Sequence, residues 1–378
     1  MVEWNYSSDT KKSSGYEDIL DELKSYTKEA YINLNNSEKE VMIEEIFDIY
    51  RSKNIFPITY YNEEGIVEEI KKCVDKEIVW EDKDVLNFRF NQGQSLCRFM
   101  FPNMQDVIVK NIKDNSPYHK FHDDVKLKKA IRFCLEYKNV KSPVVPSAIK
   151  DGLEMLGGNV ATNFKSMNAK ALYERYVPKG GIIYDYACGF GGRMIGALSS
   201  NNNYRYFGVE PNSETFDNLN RLGRYIEKAT GRENIFKIYK KGSEDFKISK
   251  GEYIDFAFSS PPYFNLEVYS NEETQSCIKF PELEDWLEGY VRQTIKNIYF
   301  MLKQDCLYGV NIADFKIGNK NVNFVDEWIR ISEEEGFTFI EEIHMKLQNR
   351  RGDGNGKNIR GKKEGIFMFK KSIDKCKK

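Results

Sequence analysis

Ile182-Ile183-Tyr184-Asp185-Tyr186-Ala187-Cys188-Gly189-Phe190-Gly191-Gly192-Arg193 is the stretch that decides the fold. An apolar run ends in an acid, passes through clustered glycines and enters a segment with helical character to about residue 200. That is a strand feeding a tight turn and a helix, the usual cradle for a nucleotide-like ligand. The glycines let the backbone come close to a ligand. The strict G-x-G-x-x-G is absent and similar turns serve packing alone, so this stretch fixes a local shape and leaves the ligand open.

Downstream, strands and helices alternate. Strands are expected at 205–209, 235–239, 253–258, 306–312 and 337–343, with helices at 213–226, 281–302 and 325–335 between them. A seventh strand at 366–369 is expected to lie antiparallel to the sixth. This alternation predicts an α/β fold with a mostly parallel sheet covered on both faces. Ligands in such sheets sit outside the carboxyl ends of the strands.

Upstream, residues 1–145 have a different texture, mostly helical and irregular. Ser37-Glu38-Lys39-Glu40 reads as a capping box, and Ile43, Ile46, Phe47 and Tyr50 follow at helical spacing. Residues 85–110 show no clean period. Ser142-Pro143-Val144-Val145-Pro146-Ser147 reads as a hinge, giving an N-terminal region 1–145 and a second domain 146–378.

Composition narrows the classes. The chain has 378 residues, 40% hydrophobic and 14% aromatic, which is enough for a real core. No apolar run approaches a membrane span, and the N-terminus lacks the pattern of a secretory signal, so a cytoplasmic protein is expected. The seven cysteines are scattered without a C-x-x-C pair, and His119 and His122 beside Asp123 and Asp124 lack ligand spacing. No metal is expected. Net charge is −1, so global charge does not advertise nucleic acid. From Lys346 to Lys378, however, twelve basic residues face three acidic ones. Arg350, Arg351, Lys357 and Arg360 lie there in a glycine-rich loop suited to phosphate contact.

Two further acids stand at strand ends. Glu210 closes Tyr206-Phe207-Gly208-Val209-Glu210, about 20 residues after the glycine turn, where a ribose diol is commonly held. Gly242-Ser243-Glu244-Asp245-Phe246 follows the next strand, where an acid and an aromatic can bracket an adenine ring. Asp185 itself can accept an ammonium group. After the fourth strand comes Ser260-Pro261-Pro262-Tyr263. An exocyclic base amine is a poor nucleophile because its lone pair is delocalised into the ring. Two acceptors on its N–H groups favour a tetrahedral nitrogen and free that pair. Ser260 Oγ and the Pro261 carbonyl can be those acceptors, with the diproline holding them rigid and Tyr263 stacking on a base taken out of its helix.

At this point residues 158–372 resemble the DNA amino-methyltransferases of the class I, S-adenosylmethionine-dependent fold. Asp185–Gly192 resembles the family's cofactor motif, with Asp185, Cys188, Gly189 and Gly191 as cofactor-binding positions. Glu210 resembles the ribose-binding acid, Asp245-Phe246 the adenine pair, and Ser260–Tyr263 the catalytic (D/N/S)-P-P-(Y/F/W) tetrapeptide. Asn163-Phe164-Lys165 resembles the segment that closes over the methionine end, with Phe164 the residue carried over. The motif order is similar to the gamma arrangement and to phage-type methylases, whose tetrapeptide continues into a loop like Glu267–Ser270 and Thr274–Ser276.

The resemblance implies a Rossmann-like seven-stranded class I methyltransferase sheet behind a mostly helical N-terminal domain. It further implies S-adenosylmethionine as cofactor and DNA as partner. The product it implies is N4-methylcytosine or N6-methyladenine, and in this family Ser260 in place of Asp leans toward cytosine. A restriction partner and the oligomeric state stay open. No long insertion follows the tetrapeptide, which leaves target reading to residues 1–145 and the basic loop. RNA or protein-glutamine methylation, and a silent nucleic-acid-binding subunit, are the competing readings.

Overall fold

The computed structural model describes residues 16–53, 56–80, 85–86, 90–109, 115–157, 161–249, 251–346 and 363–372. The chain divides into two compact units. The first comprises Met1–Ile66, Ser95–Thr162 and Glu267–Tyr269; the second comprises Val67–Gln94, Asn163–Leu266 and Ser270–Lys378. The division expected near residue 145 thus falls inside the first unit.

The first unit is helical. Asn36–Lys53 buries Ile43, Ile46, Phe47 and Tyr50, as its apolar spacing requires, and Asp124–Tyr137 buries Leu127, Ala130, Ile131 and Cys134. The cap of the first helix differs from expectation. Asn35, rather than Ser37, accepts from Glu38 N at 3.1 Å while Glu38 Oε2 accepts from Asn35 N at 2.8 Å. The reciprocal logic is that of a capping box, set two residues earlier because the helix already begins at Asn36. Ile108–Val109 pairs antiparallel with Glu267–Val268.

The second unit is built on a sheet whose main strands are β1 (Ile182–Asp185), β2 (Arg205–Val209), β3 (Phe236–Tyr239), β4 (Ile254–Ser259), β5 (Leu302–Ile312), β6 (Phe337–Lys346) and β7 (Lys363–Lys371). Their order is β3-β2-β1-β4-β5-β7-β6, with the short strand Val85–Leu86 added parallel to β6, so the sheet has eight strands rather than seven. β1 to β5 run parallel, and β7 inserts antiparallel between β5 and β6. This is the expected Rossmann-like class I methyltransferase topology.

Helices α1 (Ser166–Tyr176), α2 (Gly192–Leu198), α3 (Ser213–Thr230), α4 (Gln293–Met301) and α5 (Phe324–Glu334) cover the sheet. On one face Ile295, Ile298 and Met301 of α4 and Trp328 and Ile331 of α5 join Tyr184, Ala257 and Tyr308 in the core. On the other, Tyr173 of α1 packs edge-on to Phe256 and Phe258 at 6.1 and 6.2 Å. The helix expected at 281–302 is broken. Leu283–Trp286 passes through a π-helical turn, Leu287–Arg292, before α4 begins. Inside that turn the Gly289 position lies against the Phe280 ring, and an added Cβ there would stand 2.3 Å from it.

Among the described residues no helix is long and apolar enough to cross a membrane, and no group of three or more His, Cys, Asp or Glu is placed to hold a metal ion.

Candidate active site

The turn after β1 is shaped by two left-handed glycines, Gly189 (φ 53°) and Gly191 (φ 73°), the second of which caps α2. A Cβ on Gly189 would meet only Ala187 O, at 3.9 Å, so its side faces open space. A Cβ on Gly192 would stand 2.2 Å from Phe164 O, and only glycine admits that approach. Asn163 Nδ2 donates to Phe190 O at 2.9 Å, and Gln94 Nε2 donates to Phe164 O at 3.4 Å. The segment before α1 therefore does lie over the glycine turn. Phe164 itself is buried, its ring edge-on to Phe258 at 5.2 Å.

Asp185 is fully buried, and its carboxylate is saturated from within the protein. Oδ1 accepts from Ser259 Oγ at 2.7 Å and Ala187 N at 3.2 Å; Oδ2 accepts from Arg193 Nε at 2.8 Å and Tyr206 OH at 2.6 Å. Two oxygens offer about four acceptor sites, and four donors fill them. Burial works against the Arg193 charge, but the Asp185 partnership outweighs it and raises the guanidinium above its ordinary value. In this arrangement Asp185 has nothing left for a ligand ammonium, contrary to the sequence expectation. It ties β1, β2, β4 and α2 together at one point.

Cys188 is likewise a packing group. Its Sγ occupies the space a Cβ on Gly208 would need, with 2.1 Å between them, and burial pushes its thiol well above the usual range. Such a thiol is inert. Its main-chain N donates to Val209 O at 3.0 Å and joins the glycine turn to β2.

Glu210 stands where β2 ends, and its environment is different. It is buried, but among the described residues its carboxylate takes only two backbone donors, Gly189 N at 3.0 Å and Asn212 N at 2.9 Å. Burial, the largest influence, pushes it up to about 7 against those two hydrogen bonds. Acceptor capacity remains on both oxygens.

After β3 the Ser243–Asp245 turn places its acids in reverse of expectation. The Asp245 side chain is 58% exposed and pairs with Lys279, whereas the Glu244 side chain is 3% exposed. Glu244 Oε1 is 3.1 Å from Lys279 Nζ, and Oε2 is buried without a hydrogen-bond partner among the described residues. Burial raises the Glu244 carboxyl. Phe246 is buried with Tyr239 and Tyr184, ring centroids 4.6 and 5.7 Å away, so it backs the turn from the core. Sequence reading missed Glu244 because adjacent acids differ only in which way the turn aims them.

The tetrapeptide follows β4 directly. The Ser260 hydroxyl donates to Asn311 O at 3.3 Å, which leaves its lone pairs as acceptors. Tyr263 is half-buried, its ring leaning on Phe315 and Phe324 at 5.8 and 5.9 Å. Phe264 behind it holds a left-handed φ of 48° and is buried against Trp286 at 5.6 Å. A non-glycine residue there carries strain that the packing must hold, which fixes the direction in which Tyr263 leaves the strand.

Ser259 joins the two motifs. It donates to Asp185 Oδ1 and lies 3.1 Å from Ala187 O, setting the tetrapeptide beside the glycine turn at the neighbouring strand end. Of the expected site residues, Asp185, Cys188, Gly189, Gly191, Glu210, Phe164 and Ser260–Tyr263 thus gather at the carboxyl ends of β1, β2 and β4. Arg350, Arg351, Lys357 and Arg360 lie outside the described residues.

No family model and no curated protein matches the chain. Solved structures overlap part of it. A TehB-like S-adenosylmethionine-dependent methyltransferase from Corynebacterium glutamicum is 15% identical with a TM-score of 0.36, covering 56% of this chain and 90% of its own. A methyltransferase from Pyrococcus furiosus is 13% identical with a TM-score of 0.37, covering 55% and 83%. The [4+2]-cyclase SpnF is 10% identical with a TM-score of 0.39, covering 55% of this chain and 82% of its own. Overlap this loose, shared with a cyclase, transfers neither chemistry nor ligand, and the fold stands on the strand order itself.

Proposed function

We propose that the protein transfers a methyl group from S-adenosylmethionine to the exocyclic amine of a DNA base, cytosine N4 or adenine N6. The observation that carries this reading is the Ser259–Asp185 hydrogen bond at 2.7 Å, which sets the diproline acceptor beside the left-handed glycine turn. One motif serves a nucleotide-like cofactor and the other a planar amine.

The residues present fit the cofactor. Gly189 opens toward space that a side chain would fill, Glu210 keeps acceptor capacity for a diol, and Glu244 Oε2 is a buried acceptor in need of a donor such as an adenine amine. When bound, S-adenosylmethionine supplies a methyl already activated by its sulfonium, so positioning is the main task left to the protein.

Ser260 does that positioning at the amine. Because its own proton is committed to Asn311 O, its oxygen accepts one target N–H, and the Pro261 carbonyl accepts the other. The rigid diproline prevents either acceptor from following the ground-state planar nitrogen. Tyr263 offers the stacking surface for a base taken out of the helix. Asp185, Arg193 and Tyr206 act one layer behind, holding the turn to which the cofactor binds.

Incubation with methyl-labelled S-adenosylmethionine and unmethylated genomic DNA, followed by nucleoside mass analysis, tests this. Label in N4-methylcytosine or N6-methyladenine is expected. Cofactor binding with label in neither nucleoside overturns DNA as substrate and moves the same chemistry to RNA or to a protein amide.

A further inference from the structure

Beyond the tetrapeptide, Ser270–Phe280 touches both of the turns that carry the candidate cofactor acids. Glu272 accepts from Ser213 N at 3.0 and 3.3 Å and from Ser213 Oγ at 2.9 Å, while Thr274 Oγ1 donates to Pro211 O at 3.3 Å. These bonds fall on the turn that runs from Glu210 into α3. Asn212 already serves Thr215 N at 2.8 Å as the side-chain N-cap, so Glu272 supplies the first turn of α3 with a second acceptor and a negative charge. Seven residues later Lys279 reaches the Ser243–Asp245 turn and pairs with both Glu244 and Asp245.

Resting on the methyl-transfer reading, we propose that Ser270–Phe280 is a strap over the adenosine end of the cofactor cleft, with Glu272 and Lys279 as its two latches and as positioning residues for the cofactor-holding turns.

The construction suits a part that opens. Asn271, Glu273, Thr274, Ile278 and Lys279 are exposed, and the bonds at both latches are polar or ionic. The Glu272 contacts and the Lys279 pairing with exposed Asp245 cost little to separate, the pairing with buried Glu244 costs more, and segments that admit ligands are drawn from the low-stability end of a fold. The second half is fastened by a hydrogen bond together with packing. Trp286 Nε1 donates to Ser276 Oγ at 3.1 Å, and Phe280 sits against Gly289 in the π turn. The strap is therefore anchored from Gln275 to Phe280, around the Lys279 latch, and its free end is the stretch that Glu272 latches. Lys279 engages only Oε1 of Glu244, so a closed strap neutralises that buried acid while leaving Oε2 for the ligand.

The test measures cofactor dissociation by stopped flow alongside kcat at saturating cofactor. In Glu272→Ala and Lys279→Ala the cofactor should leave about tenfold faster, with kcat within about threefold, because the latches hold a closed state and do no chemistry. Lys279→Arg, which keeps the charge, should restore most of the slow dissociation. In the wild type, S-adenosylhomocysteine should also slow glutamyl-endopeptidase cleavage after Glu272 and Glu273. This readout needs no variant to fold. Dissociation and cleavage rates that do not respond overturn the strap. A wild type that binds neither S-adenosylmethionine nor S-adenosylhomocysteine in calorimetry overturns the underlying reading instead, so the two failures are distinct.

Discussion

Asp185 and Glu210 are two carboxylates at adjacent strand ends, both buried, and their surroundings make them different instruments. Asp185 receives four internal donors, one of them a guanidinium, and has no acceptor site to spare. Among the described residues Glu210 receives two backbone N–H groups and no hydrogen bond from a cation. Position at a strand end therefore does not by itself make a binding residue. What matters is how many of its lone pairs the fold has already claimed. The first acid holds the site together, and the second faces its ligand with capacity left.

Breaking that contrast at its strong end gives the largest effect. Asp185→Ala leaves Arg193 charged and buried without its partner, a loss of about 3–5 kcal/mol. Urea unfolding should show it as a lower midpoint, and Arg193→Ala should do similar damage. An Asp185→Ala protein of near wild-type stability that fails only in cofactor binding would return Asp185 to the role of ligand and dissolve the distinction.

Tyr263→Ala comes next. Losing one base–aromatic stack is worth roughly 1–3 kcal/mol, hence up to about a hundredfold in turnover. Cofactor affinity should hold, since the Tyr263 ring packs on Phe315 and Phe324. Equal loss of both would show that the tetrapeptide and the turn are one unit.

Glu210→Ala should weaken cofactor affinity about tenfold, the lower end for hydrogen bonds to a charged group, and leave stability largely in place. Its pH dependence sharpens the contrast further. With the carboxyl pushed up to about 7 by burial, affinity that needs the ionised form should fall as pH drops through 7, and Glu210→Gln should flatten that profile. Stability runs the other way. The folded value lies above the ordinary 4.5, so the contribution of this group is present in acid and is lost as pH rises from about 4.5 through 7. Binding calorimetry and thermal melts from pH 5.5 to about 8.5 check both signs.

The sheet was legible because buried parallel strands are short continuous apolar runs separated by turn residues, and β2 matches its expected bounds, Arg205–Val209. The saturation of Asp185 was not legible. Its partners Arg193, Tyr206 and Ser259 come from 8, 21 and 74 residues away, and only the assembled sheet brings them to one carboxylate. The π turn in the expected long helix was hidden for a similar reason. Local spacing reads as helix throughout, while the break coincides with tertiary packing of Phe280 on Gly289. Val85–Leu86 is too short to announce itself and is a strand only because β6 offers it an edge.

The smallest expected effect distinguishes neighbours. Glu244 and Asp245 differ in burial more than in chemistry, and the turn aims only Glu244 inward, with one oxygen unpartnered. Glu244→Gln keeps the shape but presents an amide, so either Lys279 or the ligand amine meets a donor where it needs an acceptor. Cofactor affinity should fall about fivefold, near 1 kcal/mol for one mismatched hydrogen bond. Asp245→Asn should change it by no more than about twofold, through a weakened exposed ion pair. Paired titrations decide the matter. If Asp245→Asn has the larger effect, the inward acid is Asp245 after all, and burial misleads at this strand end as strand-end position did at β1.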